Sequence, residues 1–299
     1  METANPALED LRREIDEIDN RLHDLLMRRT EISRQVGRTK SGRAVVKPGR
    51  EAQVLRRLLA RHRGSLPKFV LVRIWREIFS DSLAQQGPFS VSVLGAEGEP
   101  SLRGLARDHY GVLTPIGEQG SAVRVISDVA EGKASLGVLP PCDADLEAPW
   151  WRHLARDGAS VPRVVARLPF AEPASPNANG ATALVVALSS LEETGADRSL
   201  LVVETEEDVS RSAFRTLLGK IGLTVRETQM WSDGGDAWLH FAEVEGFVDP
   251  EGDWLARLAE VSGGKQPRGW VIGAHTVPLA PEELAPSPSE TPARQEVGT

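Results

Sequence analysis

The chain has 299 residues, 40% of them hydrophobic and 26% charged, a globular balance with length enough for two domains. No stretch approaches the ~18 consecutive apolar residues of a membrane span, and the single cysteine, Cys142, excludes an internal disulfide framework and a cysteine-based zinc site. The formal charge of −8 is uneven: residues 1–88 hold 18 Lys+Arg against 12 Asp+Glu, and residues 89–299 hold 17 against 31.

The basic first segment suits a small anionic ligand. Nucleic acid fits poorly, because acids interleave the basic residues and no basic run, finger spacing or series of stacking aromatics occurs. The opening Met1–Pro6 lacks the basic and apolar regions of a secretory signal, so a cytoplasmic protein is expected.

Residues 8–40 read as one long helix. Leu8, Leu11, Ile15, Ile18, Leu22, Leu25, Ile32 and Val36 keep a 3-4 alternation over about four heptads, the pattern of a helix packed lengthwise on another. Ser41-Gly42 stops it. A second helix opens at Pro48 and runs to about His62, and Gly64-Ser65 breaks the chain. A third starts near Pro67, carries Val72, Trp75, Phe79 and Leu83, and ends at Gly87-Pro88. Residues 1–88 are thus a three-helix segment. A helix of ~33 residues is about 50 Å long. Two shorter helices leave part of its apolar stripe uncovered, which predicts a dimer through paired long helices.

From residue 89 the register changes to α/β. Phe89–Leu94 alternates as a strand into Gly95, Leu102–His109 reads as a helix, and 122–126 and 135–139 read as strands. Residues 171–180 are a loop, and a sub-boundary falls within 171–199. Then 183–187 and 200–204 read as strands, 209–221 as a helix, 223–230 and 237–244 as strands, and 254–261 as a helix. The last five of these elements form the β-α-β-β-α pattern of a ferredoxin-like sandwich, with Val271-Ile272-Gly273 as a candidate final strand. Residues 281–299 carry four prolines and no periodicity, the signature of a disordered tail. Domain limits of 1–88 and 89–280 follow.

The chemistry is signalled by polar residues on apolar stripes. Arg29 interrupts the heptad series Leu8, Ile15, Leu22, Val36, and a cation facing a helix interface needs acceptors. Lys40 lies three turns on, near the same face. Ser82 and Gln86 continue the stripe of Val72, Trp75 and Phe79. The second helix opens on Arg50-Glu51. Directed to one interior, Arg29, Lys40, Arg50, Glu51, Ser82 and Gln86 make an electrostatic cage for a small carboxylate-rich molecule, with no nucleophile and no metal site. The competing reading is an interhelical salt-bridge network in which Glu51 pairs Arg29 or Lys40.

Residues 8–86 resemble the all-helical class of chorismate mutase, on Leu11–Asp19, Leu25–Arg29 with Gly37–Lys40, Arg50-Glu51, and Asp81–Gln86. The resemblance implies an intertwined homodimer of three-helix chains with shared active sites. It implies rearrangement of chorismate to prephenate in aromatic amino-acid biosynthesis, without cofactor. Arg12 and Arg29 would bind the two carboxylates, Arg12 reaching into the partner's site. Lys40 and Gln86 would hydrogen-bond the ether oxygen, Glu51 would hold the ring hydroxyl, and Arg50 and Ser82 would support the carboxylates. The family often has an acid three positions before the Arg-Glu pair; here that position is Lys47.

The second segment resembles a degraded prephenate dehydratase, in Leu94–Gly98 and Gly137–Pro140, followed by a region similar to that family's regulatory domain. The dehydratase Thr-Arg-aromatic signature is absent: the chain reads Ala181-Thr182-Ala183-Leu184-Val185. Too few residues lie between the halves for a two-lobed catalytic domain. The expectation is a mutase whose C-terminal region is regulatory or structural, with an aromatic amino acid as candidate effector. The rival readings are an isochorismate-pyruvate lyase and a non-catalytic aromatic amino-acid-binding regulator.

Overall fold

A computed structural model describes residues 6–39, 46–95, 102–143, 148–171, 181–206, 209–235, 237–263 and 267–285. The three helices lie where the periodicity puts them, as α1 (Pro6–Thr39), α2 (Pro48–Arg61) and α3 (Lys68–Gln86). Pro48 spends its missing N–H in the first turn of α2, where no intrahelical partner exists. The first helical bond there runs from Glu51 N to Lys47 O at 3.2 Å.

The C-terminal end of α1 packs on α3. Gly37 is buried there, and a Cβ at that position would stand 2.7 Å from Gln86 Cα, so only glycine lets the two backbones meet. The other end of α1 has no cover within the chain: Leu11, Ile15, Leu22 and Leu25 are all more than half exposed.

The rest is a mixed α/β domain. Its strands are β1 (Val91–Leu94), β2 (Ile116–Gln119), β3 (Leu136–Leu139), β4 (Arg163–Leu168), β5 (Ala183–Ala187), β6 (Asp197–Thr205), β7 (Val225–Trp231), β8 (Trp238–Glu245) and β9 (Arg268–Thr276). Its helices are α4 (Leu102–Tyr110), α5 (Ala122–Ala130), α6 (Arg211–Lys220), α7 (Trp254–Val261) and the single turn α8 (Pro281–Leu284).

Among the described residues the strands form one sheet, in the order β2-β1-β3-β5-β4-β9-β6-β8-β7. β1 pairs in parallel with β2 and β3, and β5 is antiparallel to β3 and β4. The ferredoxin-like unit is β6-α6-β7-β8-α7-β9, with Val271–Gly273 inside its final strand. β4 and β9 join the two halves in parallel at Val164 and Gly273. One apolar cluster spans the join, with Val125, Trp150, Trp151 and Leu184 from the first half and Leu200, Val202, Phe241 and Ile272 from the second.

Two local expectations are corrected, and two strands, β2 and β4, stand where none was expected. Residues 122–126 are helical, not a strand: Ser121 caps α5 by accepting from Arg124 N, and Val125, Ile126 and Val129 are buried at helical spacing. The cap and the period override the β preference of valine. Neither β2 nor β4 alternates cleanly. β2 has one apolar residue in four, and β4 has a register shift between Val164 and Ala166 that breaks its alternation. The tail does not begin at 281, because α8 follows and Leu284 is buried against Phe170 and Leu279. Residues 286–299 lie outside the described residues.

The helical segment docks on the α/β domain. Ala52, Leu55, Val72 and Phe79 share a core with Phe170, Leu279 and Leu284. Arg56 donates to Thr276 Oγ1 at 2.7 Å and also to Val277 O. Ser80 donates to Tyr110 O.

Candidate active site

The site grows from the contact of α1, α2 and α3. Arg29 leaves α1 half-buried and donates through Nη1 to Ser82 Oγ and, at 3.3 Å, to Ile78 O. Ser82 Oγ in turn donates to Ile78 O at 2.7 Å. One guanidinium edge is thus held by α3, which leaves the remaining donors of its planar fork for a carboxylate. Burial pulls the Arg29 pKa below its ordinary value, opposed by the nearby Asp81 and Glu51 carboxylates.

Glu51 comes from the first turn of α2. Its Oε2 accepts from Arg76 Nη1 at 2.9 Å, in a pair whose side chains are 14% and 9% exposed. The salt-bridge reading of the sequence therefore holds in kind, with a different partner: Glu51 pairs Arg76, not Arg29. Burial pushes the Glu51 carboxyl up from its ordinary range, and Arg76 and Arg29 act against that rise. Gln86 closes the end of α3, and its Oε1 is buried without a hydrogen-bond partner among the described residues. An amide oriented by a donor to that oxygen would present its N–H₂ to an acceptor.

Arg29, Glu51, Ser82 and Gln86 come from the helices that meet at this contact. Arg12 and Arg50 are exposed. Arg12 is 17 residues from Arg29 along one helix, about 25 Å, so it does not reach this site within its own chain. Arg50 faces solvent because its neighbour Glu51 takes the inward position, about 100° around α2. Lys40 lies outside the described residues. Lys47 turns away from the cage and pairs Glu192 in the α/β domain.

Arg76 is the residue that sequence reading missed. Its signal was present: with Val72, Phe79 and Leu83 it forms the i, i+4, i+7, i+11 face that is buried. Reading the stripe through the adjacent Trp75 hid it.

Residues 11–87 match the family chorismate mutase type II. The chain carries a chorismate mutase domain at its N-terminal end. A bifunctional chorismate mutase/prephenate dehydratase from Stutzerimonas stutzeri is 31% identical over 140 residues, which is 44% of this chain and 38% of that one. The enzyme of the same name from Pseudomonas aeruginosa is 33% identical over the same shares. The chain therefore matches well under half the length of these relatives.

Among solved structures, prephenate dehydratase from Streptococcus mutans is similar with a TM-score of 0.44 and 12% identity, over 64% of this chain and 99% of that one. Prephenate dehydratase from Arthrobacter aurescens, solved in complex with L-Phe, has a TM-score of 0.44 and 14% identity, over 64% and 92%.

Proposed function

We propose that this protein is a chorismate mutase that converts chorismate to prephenate in aromatic amino-acid biosynthesis. The observation that carries the reading is Arg29, braced by Ser82 and close to the buried Glu51–Arg76 pair, in a segment that matches the mutase family. The rearrangement is unimolecular and asks for no nucleophile or cofactor. A cage that holds the compact reactive conformer and meets developing charge with fixed donors suffices.

Arg29, braced by Ser82, binds one carboxylate. Glu51 accepts from the ring hydroxyl, and Gln86 and Lys40 donate to the ether oxygen. Arg12 of a second copy supplies the other carboxylate contact, and Arg50 supports that end of the site from the surface. The active form is a homodimer, supported by the uncovered apolar stripe of α1 and by the distance of Arg12 from the cage. Such a biosynthetic enzyme belongs in the cytoplasm. The α/β domain is regulatory or structural, with an aromatic amino acid as its candidate effector. It does not dehydrate prephenate: Thr182 precedes a fully buried β5, where the sequence lacks the dehydratase signature.

Loss of chorismate absorbance, followed with and without acid treatment, tests this. Prephenate that needs acid to give phenylpyruvate is the expected product. Phenylpyruvate without acid would overturn the inactive reading of the second domain. Turnover of isochorismate alone would replace the mutase with a lyase.

A further inference from the structure

Guanidinium groups and aromatic rings alternate from the mutase site into the α/β domain. Arg29 stands 5.8 Å from the Phe79 ring centre, and Arg76 stands 6.0 Å from the same ring. Arg76 then lies 5.0 Å from Phe170, whose ring also takes Arg56 at 5.6 Å. Arg56 ends the series on Thr276 Oγ1 and Val277 O, at the end of β9. Phe170 is buried and lies outside the segment that matches the mutase family. Arg76, the buried member of the series, meets ring faces on both sides away from water, where such contacts gain strength and fix the cation's place.

We propose that Arg76 and Phe170 are positioning residues for the mutase reaction: Phe170 of the α/β domain seats Arg76, and Arg76 holds Glu51 as an oriented carboxylate. This rests on the mutase reading above. Neither residue touches substrate. Arg76 fills one side of Glu51 and Phe170 fills the far side of Arg76, so the acceptor for the ring hydroxyl is fixed from the neighbouring domain. Glu51 is faced by Arg29 from α1 and Arg76 from α3, and Arg76 is faced across the boundary by His109 and Tyr110 of α4. Burial pushes the Tyr110 hydroxyl up and the His109 ring down, so both stay neutral. Arg29 and Arg76 are therefore the cations among the described residues that oppose the rise burial imposes on the Glu51 carboxyl.

The test uses the full chain and two readouts: the pH profile of kcat/KM for chorismate, and the ¹³C carboxyl shift of Glu51, assigned by its loss in Glu51→Gln. Arg76→Gln is expected to raise the Glu51 titration by about one to two units and to move the acid limb of the rate profile up with it, with activity returning at higher pH. Arg76→Lys restores most of the wild-type profile. Phe170→Leu, which keeps an apolar side chain but removes the ring face, moves both readouts the same way by less, and Phe170→Tyr restores them.

A folded Arg76→Gln or Phe170→Leu chain with unchanged Glu51 titration overturns the proposal. So does a loss of rate that is equal at every pH and follows Tm. If the wild-type chain leaves chorismate untouched, the mutase reading fails, while the carboxyl titration still decides the link from Phe170 to Glu51.

Discussion

Buried charge is costly unless it is paired, and that rule explains which site residues could be read from sequence. Arg29 and Ser82 broke apolar stripes, and the structure places them in contact. Arg76 broke a stripe too, but it sits beside Trp75, and two adjacent candidates for one face left its burial ambiguous. Its partner therefore could not be assigned: pairing Glu51 with Arg29 or Lys40 was as consistent with spacing as pairing it with Arg76. At this scale Lys40→Ala is expected to lower kcat by orders of magnitude with Tm unchanged, because a donor aimed at developing charge acts in the transition state and not in the fold. A near-normal turnover would remove Lys40 from the cage.

Elements were legible where amphipathic period and breakers agreed. α1, α2 and α3 satisfied both, and α7 lies where its period put it. β2 and the region of α5 failed because four polar-rich residues and a valine-rich helix send misleading signals. The α1–α3 contact has a sharp requirement of its own. Gly37→Ala puts a methyl 2.7 Å from Gln86 Cα, and since that atom is backbone, the helices must separate. A drop in Tm together with weaker chorismate turnover is expected, and an unchanged Tm would mean that the contact is looser than its geometry.

Within the ferredoxin-like unit, β6, β8 and β9 bring Arg198, Glu243 and His275 together. Arg198 Nη1 lies 3.1 Å from the Glu243 carboxylate and His275 Nε2 lies 3.7 Å from it. Burial alone would raise the Glu243 pKa, but these two partners outweigh it and hold it down at about 2. A carboxylate depressed in the folded state contributes stability above the unfolded-state value and loses it as pH falls through the folded one. Glu243→Gln is thus expected to cost on the order of 2 kcal/mol near neutral pH. That difference should shrink as melting curves are taken from pH 5 towards pH 2. A constant difference would mean that the charge plays no part.

On the scale of the whole molecule, the helical segment and the α/β class were legible, while the way the halves meet was not. Docking uses Phe170, Leu279 and Leu284, residues of loops and a terminal turn with no period to read. The dimer makes a separate prediction. Chains carrying Arg12→Ala and chains carrying Lys40→Ala, mixed after unfolding, are expected to regain part of the wild-type rate, because a mixed dimer contains one site with neither lesion. Sedimentation at rising concentration should show the dimer. A monomeric, fully active chain would refute shared sites.

The bridge between β4 and β9 has a thermodynamic consequence. Gly273 lies against Val164 so closely that a Cβ there would meet Val164 Cβ at 2.4 Å, and the apolar cluster around Trp151 draws on strands from both sides of that bridge. Each half also keeps an apolar cluster of its own, but the cluster they share cannot be lost from one without the other. Heating should melt residues 89–285 in one cooperative step, not a ferredoxin-like unit first and its neighbour later. Free energy gained by a ligand on either half would then be distributed over the entire sheet, raising a single melting temperature instead of protecting the half that holds it.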